Sequence, residues 1–207
     1  VLLAEEGVNA TLWGPERGLE AFLAELGAWR PFAALRTTRT AGPARPPFRR
    51  LRVRVRREIV TLRAPTLQPS RRGGEHVEPE AWNALVDDPS IPVIDVRNAY
   101  ETAVGGFSGA VDPGTERFTD FKRWVAEHLD PRETPRVAMY CTGGIRCEKA
   151  SAWMLEQGFA AVAQLDGGVL RYLAETPRAE SRWWGECFVF DERVSVGQEL
   201  AVGSLTL

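Results

Sequence analysis

The chain has 207 residues, enough for one large or two small domains, and its 44% hydrophobic and 26% charged content is ordinary for a soluble globular protein. No apolar run reaches the ~18 residues of a membrane span and no signal-peptide pattern is read, which excludes a spanning protein; an odd count of three cysteines argues against a disulfide framework and fits a reducing cytoplasm. The net charge of −2 conceals an asymmetry: residues 30–73 hold thirteen arginines and one acid, Glu58, a net of +12 that leaves −14 for the rest and points to a polyanionic partner.

Val1 to Ala4 reads as a strand already under way, so the natural start is expected to lie upstream. Glu5-Glu6-Gly7 turns the chain into a second strand, Val8 to Trp13, stopped by Gly14-Pro15. Leu19, Phe22, Leu23 and Leu26 recur at helical spacing up to Gly27. Residues 35–40 read as a strand and 41–48 as a Pro-rich turn. Leu51 to Arg56 alternates strictly, which predicts a half-buried strand with Arg52, Arg54 and Arg56 in a row on its open face. Their ~6–7 Å spacing suits successive phosphates, contacts that position a nucleic acid without reading it. Residues 59–62 are expected to continue this strand. The whole reads as a small basic α+β domain, residues 1–64, with one antiparallel sheet and its helices on one face.

Residues 65–78, with Pro65, Pro69, Arg71-Arg72 and Gly73-Gly74, read as a linker, and Arg71 and Arg72 extend the basic surface. From residue 79 strands and helices alternate. A helix is expected over 79–86, a doubly buried strand over 91–96, a helix over 118–129, a strand over 137–140, a helix over 147–157, a strand over 161–165 and a helix from Gly168 through Leu173. Such alternation means an α/β domain with a parallel sheet, here 79–176. The aromatic stretch 182–196 is too apolar for a free tail, so 177–207 is expected to pack back onto the body.

The chemistry concentrates after the 137–140 strand, in Cys141-Thr142-Gly143-Gly144-Ile145-Arg146-Cys147. A loop between a strand and a helix N-terminus can turn its backbone N–H groups inward at the cysteine sulfur. The helix dipole and the Arg146 charge add to this, so Cys141 should ionise below the ~8.5 of a free thiol. The same cradle, Thr142 to Arg146, would hold an anion bonded to the sulfur. An inert core cysteine needs neither two glycines nor a cation beside it. Cys147 is read chiefly as a helix-start residue and otherwise as a resolving thiol. Asp95 and Arg97 are expected to form a supporting pair, Arg146 to bind an anion rather than an acid such as Glu148, Cys187 to lie in the core, and His76 and His128 to lie on the surface. No spacing of histidines and cysteines suits a metal.

Three stretches, Val93 to Arg97, the Cys141 loop and Leu165 to Gly168, resemble the rhodanese domain in order. The longer strings Glu5 to Ala10, Cys141 to Lys149 and Trp184 to Asp191 resemble the bacterial tRNA uridine 5-hydroxylase family, across nearly the whole chain. That resemblance implies an acylphosphatase-like (ferredoxin-like) α+β domain ahead of a rhodanese-like α/β domain, and formation of 5-hydroxyuridine at the wobble position in the tRNA anticodon loop. It implies Cys141 as the catalytic cysteine, molecular oxygen as co-substrate with no other cofactor evident, and a cytoplasmic setting. A plain sulfurtransferase carrying a persulfide on Cys141, and a non-catalytic tRNA-binding module, are the competing expectations. Members of the family usually begin with a further strand and helix and continue into a cysteine-rich segment, neither of which is in this sequence.

Overall fold

The computed structural model describes residues 1–205 apart from 34, 36, 38, 40, 41 and 44. Part of the strand expected over 35–40 therefore lies outside the described residues. The first sheet has the order β2-β1-β3, with β1 Leu2–Ala4, β2 Gly7–Asn9 and β3 Arg54–Val55. The tight turn at Glu5-Glu6 makes β1 and β2 antiparallel. β3 runs parallel to β1, with Leu2 opposite Arg54 and Leu3 opposite Val55. The antiparallel sheet expected from the sequence is thus a mixed one. Strand patterning carries no direction, and the long crossover through α1 (Glu16–Gly27) returns the chain in the sense of β1.

The half-buried strand at 51–56 is also corrected. Only Arg54–Val55 is strand, although the N–H groups of Arg54 and Arg56 bond to Val1 and Leu3. Its apolar face is open: Leu51, Val53 and Val55 are 77%, 56% and 79% exposed. Alternation fixes which residues share a face, but a layer must cover that face to bury it, and among the described residues none does. Phe22 of α1 is exposed as well.

The second sheet has the order β4-β8-β7-β5, all parallel, with β4 Glu75–Val77, β5 Val93–Asp95, β7 Arg136–Tyr140 and β8 Ala161–Leu165. Around it lie α2 (Pro79–Val86), α3 (Ala99–Thr102), α4 (Phe121–His128), α5 (Ile145–Glu156) and α6 (Gly168–Glu175). The apolar run 137–140 is buried on both faces, as a central parallel strand requires. β4 comes from residues expected in a linker. It is an edge strand whose Glu75 and His76 are exposed, so it lacks the apolar signal of its neighbours. The segment before it is packed rather than loose: Leu62 and Leu67 are buried in one core with Ile94, Phe121 and Met139. Residues 59–62 form no strand.

A second core lies on the opposite face of the sheet, with Trp82, Phe107, Tyr140 and Tyr172 beside Cys187, Val189 and Val196 from the C-terminal stretch. There β9 (Trp183–Gly185) pairs antiparallel with β6 (Gly105–Phe107), and β10 (Cys187–Phe188) pairs with β11 (Ser195–Val196). No helix among the described residues is long and apolar enough to cross a membrane.

Candidate active site

Cys141 stands at the carboxyl end of β7, where open parallel sheets gather their sites. It is fully buried. Gly144, at φ 86°, takes the left-handed turn that a side chain would strain, and α5 starts at the next residue, two earlier than the sequence pattern suggests. Gly143 is exposed and faces open space. The loop is clamped from behind. Val169 and Leu170, in the first turn of α6, donate their N–H groups to the carbonyls of Cys141 and Thr142, both at 3.0 Å. That approach leaves no room at Gly168, where a Cβ would lie 2.5 Å from the Cys141 oxygen and 2.7 Å from the Gly144 nitrogen.

With its carbonyls held from behind, the loop turns N–H groups toward the sulfur. Burial opposes ionisation of Cys141. It is outweighed by a hydrogen bond from the Cys147 thiol, the charge of Arg146 and the backbone N–H groups of Cys147 and Arg146, which bring the thiol down to about 6. Cys147 moves the other way: burial, its bond to Cys141 and the Cys141 charge push it well up, so it stays a donor. Burial likewise pushes Cys187 up to about 12.

Arg146 meets an acid that sequence distance concealed. Its guanidinium holds both oxygens of Glu101 at 2.6 and 2.7 Å, with the Glu101 side chain fully buried. Glu101 also accepts from Thr142 Oγ1 at 3.1 Å and from the Asn98 N–H at 3.0 Å. The last bond is half of a capping box at the start of α3, and Asn-x-x-Glu is the readable sign of it in the sequence. Burial alone would raise the Glu101 pKa, but the Arg146 bonds and charge hold it below its usual range.

Asp95 and Arg97 form a buried pair with Nη2 2.6 Å from Oδ2. Arg97 also donates to the carbonyls of Glu101 and Gly105 and lies over the rings of Tyr140 and Trp183, which ties β5, α3, β6 and β9 together behind the loop. His76 stands between Asp166 (3.0 Å) and Glu148 (3.2 Å), while His128 stacks on Trp124. Arg52, Arg54, Arg56, Arg71 and Arg72 are all exposed. Lys149, two residues beyond Cys147, is buried against Glu58 (2.6 Å) and Glu6 (2.9 Å), so the basic unit is bonded to the helix that carries the loop.

Two family models match the chain: a UPF0176 acylphosphatase-like domain over residues 1–59 and a rhodanese-like domain over 78–175. A tRNA uridine(34) hydroxylase of Agrobacterium fabrum is 52% identical over 203 residues, which cover 98% of this chain and 64% of the relative. One from Sinorhizobium fredii is 52% identical over the full chain and 66% of its own length. One from Bradyrhizobium diazoefficiens is 51% identical over 97% of this chain and 80% of its own length. The chain thus spans just under two thirds of the first two relatives.

Proposed function

The chain belongs to the family of the tRNA uridine(34) hydroxylases, and from that premise we propose that it takes part in oxygen-dependent hydroxylation of the wobble uridine of tRNA, with the Cys141 thiolate as its reactive group. The observation that carries this reading is the cradle: a thiol brought down to about 6 by two backbone N–H groups, Cys147 and Arg146. A thiolate present at neutral pH is the form that attacks. Uridine C6 is electrophilic and C5 is not. Addition of sulfur at C6 would make C5 a nucleophile toward oxygen. Oxygen would bond to C5 as a hydroperoxide, two electrons and two protons from a pair of thiols would split its O–O bond to leave a C5 hydroxyl and water, and loss of the C5 proton would then expel the Cys141 thiolate from C6. The loop N–H groups, Thr142 to Arg146, would hold the anion that accompanies the sulfur, while the Arg146 guanidinium, with both Nη atoms on Glu101, adds its charge from a distance. Asp95 and Arg97 would keep the loop in place. The substrate, an anticodon loop, is already single-stranded, so exposing its base costs little. The exposed arginines 52, 54, 56, 71 and 72 would take its phosphates.

A second reading has its own observation. The Cys141 sulfur is fully buried, so a base must open the loop to reach it. A persulfide would carry the outer sulfur about 2 Å further, which favours a sulfur-carrying state at this residue.

The test is nucleoside mass spectrometry of tRNA from cells lacking the protein, complemented with wild type or Cys141→Ala. Loss of 5-hydroxyuridine restored by wild type alone is expected. Full hydroxylation with Cys141→Ala would sink the proposed role. Rapid, sustained thiocyanate formation from thiosulfate and cyanide would favour the sulfurtransferase reading.

A further inference from the structure

A row of three aromatic rings, the outer two exposed and the middle one half-buried, starts on α3, the helix whose Glu101 holds the cysteine loop. Tyr100 meets Phe188 edge to face at 5.3 Å between centroids, and Phe188 meets Phe190 likewise at 5.4 Å. Tyr100 is 49% and Phe190 65% exposed. Along 187–190 the burial alternates: Cys187 and Val189 are buried, while Phe188 is half-buried and Phe190 exposed. The core therefore has no need of an aromatic at position 190. A single exposed ring would require no explanation, but contiguous ones mark a surface that binds something.

The row's position says what. At one end, Tyr100 precedes Glu101, the carboxylate that holds Arg146 and Thr142 of the loop. At the other end the chain runs on through Glu192, which accepts from Arg49 Nε at 2.7 Å and bonds through its N–H to the Pro47 carbonyl. The row thus bridges the reactive cysteine and the arginine block. The acids beside it are neutralised, Asp191 by Arg193 at 2.6 Å and Glu192 by Arg49. Aromatic rings next to a cationic stretch are the pairing that holds unpaired bases by their faces and their backbone by charge.

We propose that Tyr100, Phe188 and Phe190 form a stacking platform for unpaired bases of the RNA loop whose target base enters at Cys141. The proposal rests on the tRNA reading above and names the surface that holds the bases flanking the target. A paired stem, whose bases already stack on one another, would gain nothing there. The arginines would grip both forms alike.

The probes are an anticodon-sized stem-loop RNA with 2-aminopurine in its loop and a blunt RNA duplex of equal charge. The wild-type chain is expected to prefer the stem-loop and to change the loop probe's fluorescence through stacking. Tyr100→Leu with Phe190→Leu keeps apolar bulk at two exposed positions and removes the rings. Stem-loop binding should weaken by about five- to 150-fold for each stack lost, with the fluorescence response gone. Duplex affinity and the salt slope should stay as in wild type. Phe190→Trp should bind like wild type. Unchanged stem-loop binding in the leucine variant, or equal loss on both RNAs, would overturn the platform. Wild-type chain that binds neither RNA would overturn the platform and the tRNA reading together. Intact hydroxyuridine in cells lacking the protein, alongside a normal platform result, would overturn only the hydroxylase reading.

Discussion

Replacing Glu101 by Gln isolates the ion pair on which the loop is built. Glutamine keeps the shape of the side chain and deletes its charge. In the native protein both carboxylate oxygens face Arg146, at 2.6 and 2.7 Å, and neither residue is more than 7% exposed. The change leaves a buried guanidinium without its counter-charge, a defect that costs about 3–5 kcal/mol. At ~2–4 °C per kcal/mol for a chain of this size, calorimetry should show the unfolding midpoint fall by roughly 6–20 °C. Adding Arg146→Met removes the orphaned charge and should recover most of the loss. The thiol supplies a second readout. With Glu101 neutral, nothing offsets the Arg146 charge acting on Cys141, so the thiol should ionise below its native value of about 6. In the double variant it should ionise above it. A cost below about 1 kcal/mol for the single change, within the range of an ordinary surface substitution, would refute the reasoning. So would a thiol that moves the same way in both variants.

The thiolate absorbance lost on Cys141→Ser should titrate near pH 6; a step near the ~8.5 of a free cysteine would contradict the cradle. Because the folded value lies below the unfolded one, the stabilisation is complete above ~8.5 and is lost as pH falls through about 6, which unfolding curves across that window would show. Gly168→Ala would put a Cβ 2.5 Å from the Cys141 oxygen at φ 66°. It should cost at least ~2 kcal/mol and abolish the low thiol titration, and a midpoint unchanged from wild type would show that the clamp from α6 is not needed. Replacing Arg52, Arg54 and Arg56 by Gln together should weaken RNA binding and flatten its salt dependence by up to ~0.7 per lost phosphate contact; an unchanged slope would move the phosphate site, with Arg71 and Arg72 next in line.

What could be read from the sequence was local. The run 137–140, the paired glycines and Cys141 announce a strand, a turn and a thiol held below its usual range because each depends on neighbours in the chain. The ends of elements were read less well. α5 begins at Ile145 rather than 147, since the left-handed Gly144 permits a helix to start at once. β4 went unread as a strand because Glu75 and His76, on an edge, carry no apolar face. Glu101 stands forty-five residues from the arginine it holds, too far for any local pattern to pair them. The alternation at 51–56 identified the right faces but not their exposure, because burial belongs to the layer opposite and not to the strand.

The same distinction explains the seam between the two units. Glu58 is the single acid among thirteen arginines of the basic segment. In sequence it looks like an exception on a cationic surface. In the fold it turns inward and takes Lys149 at 2.6 Å, while its Oε2 also accepts from the N–H groups of Leu62 at 3.0 Å and Ala64 at 3.4 Å. Glu6 takes the same ammonium and the N–H of Ile59. Two carboxylates around one ammonium leave a negative excess that burial would penalise, and these backbone donors offset it. Burial alone would raise the Glu58 pKa, but the Lys149 bond and the donors hold it down, so the charge is kept. Lys149 belongs to α5, and the donors belong to the segment that delivers Leu62 and Leu67 into the core beneath it. The stretch read as the edge of a basic domain is therefore part of the foundation of the cysteine loop. The arginine surface and the thiol are fixed to one another through a buried charge rather than through a free tether.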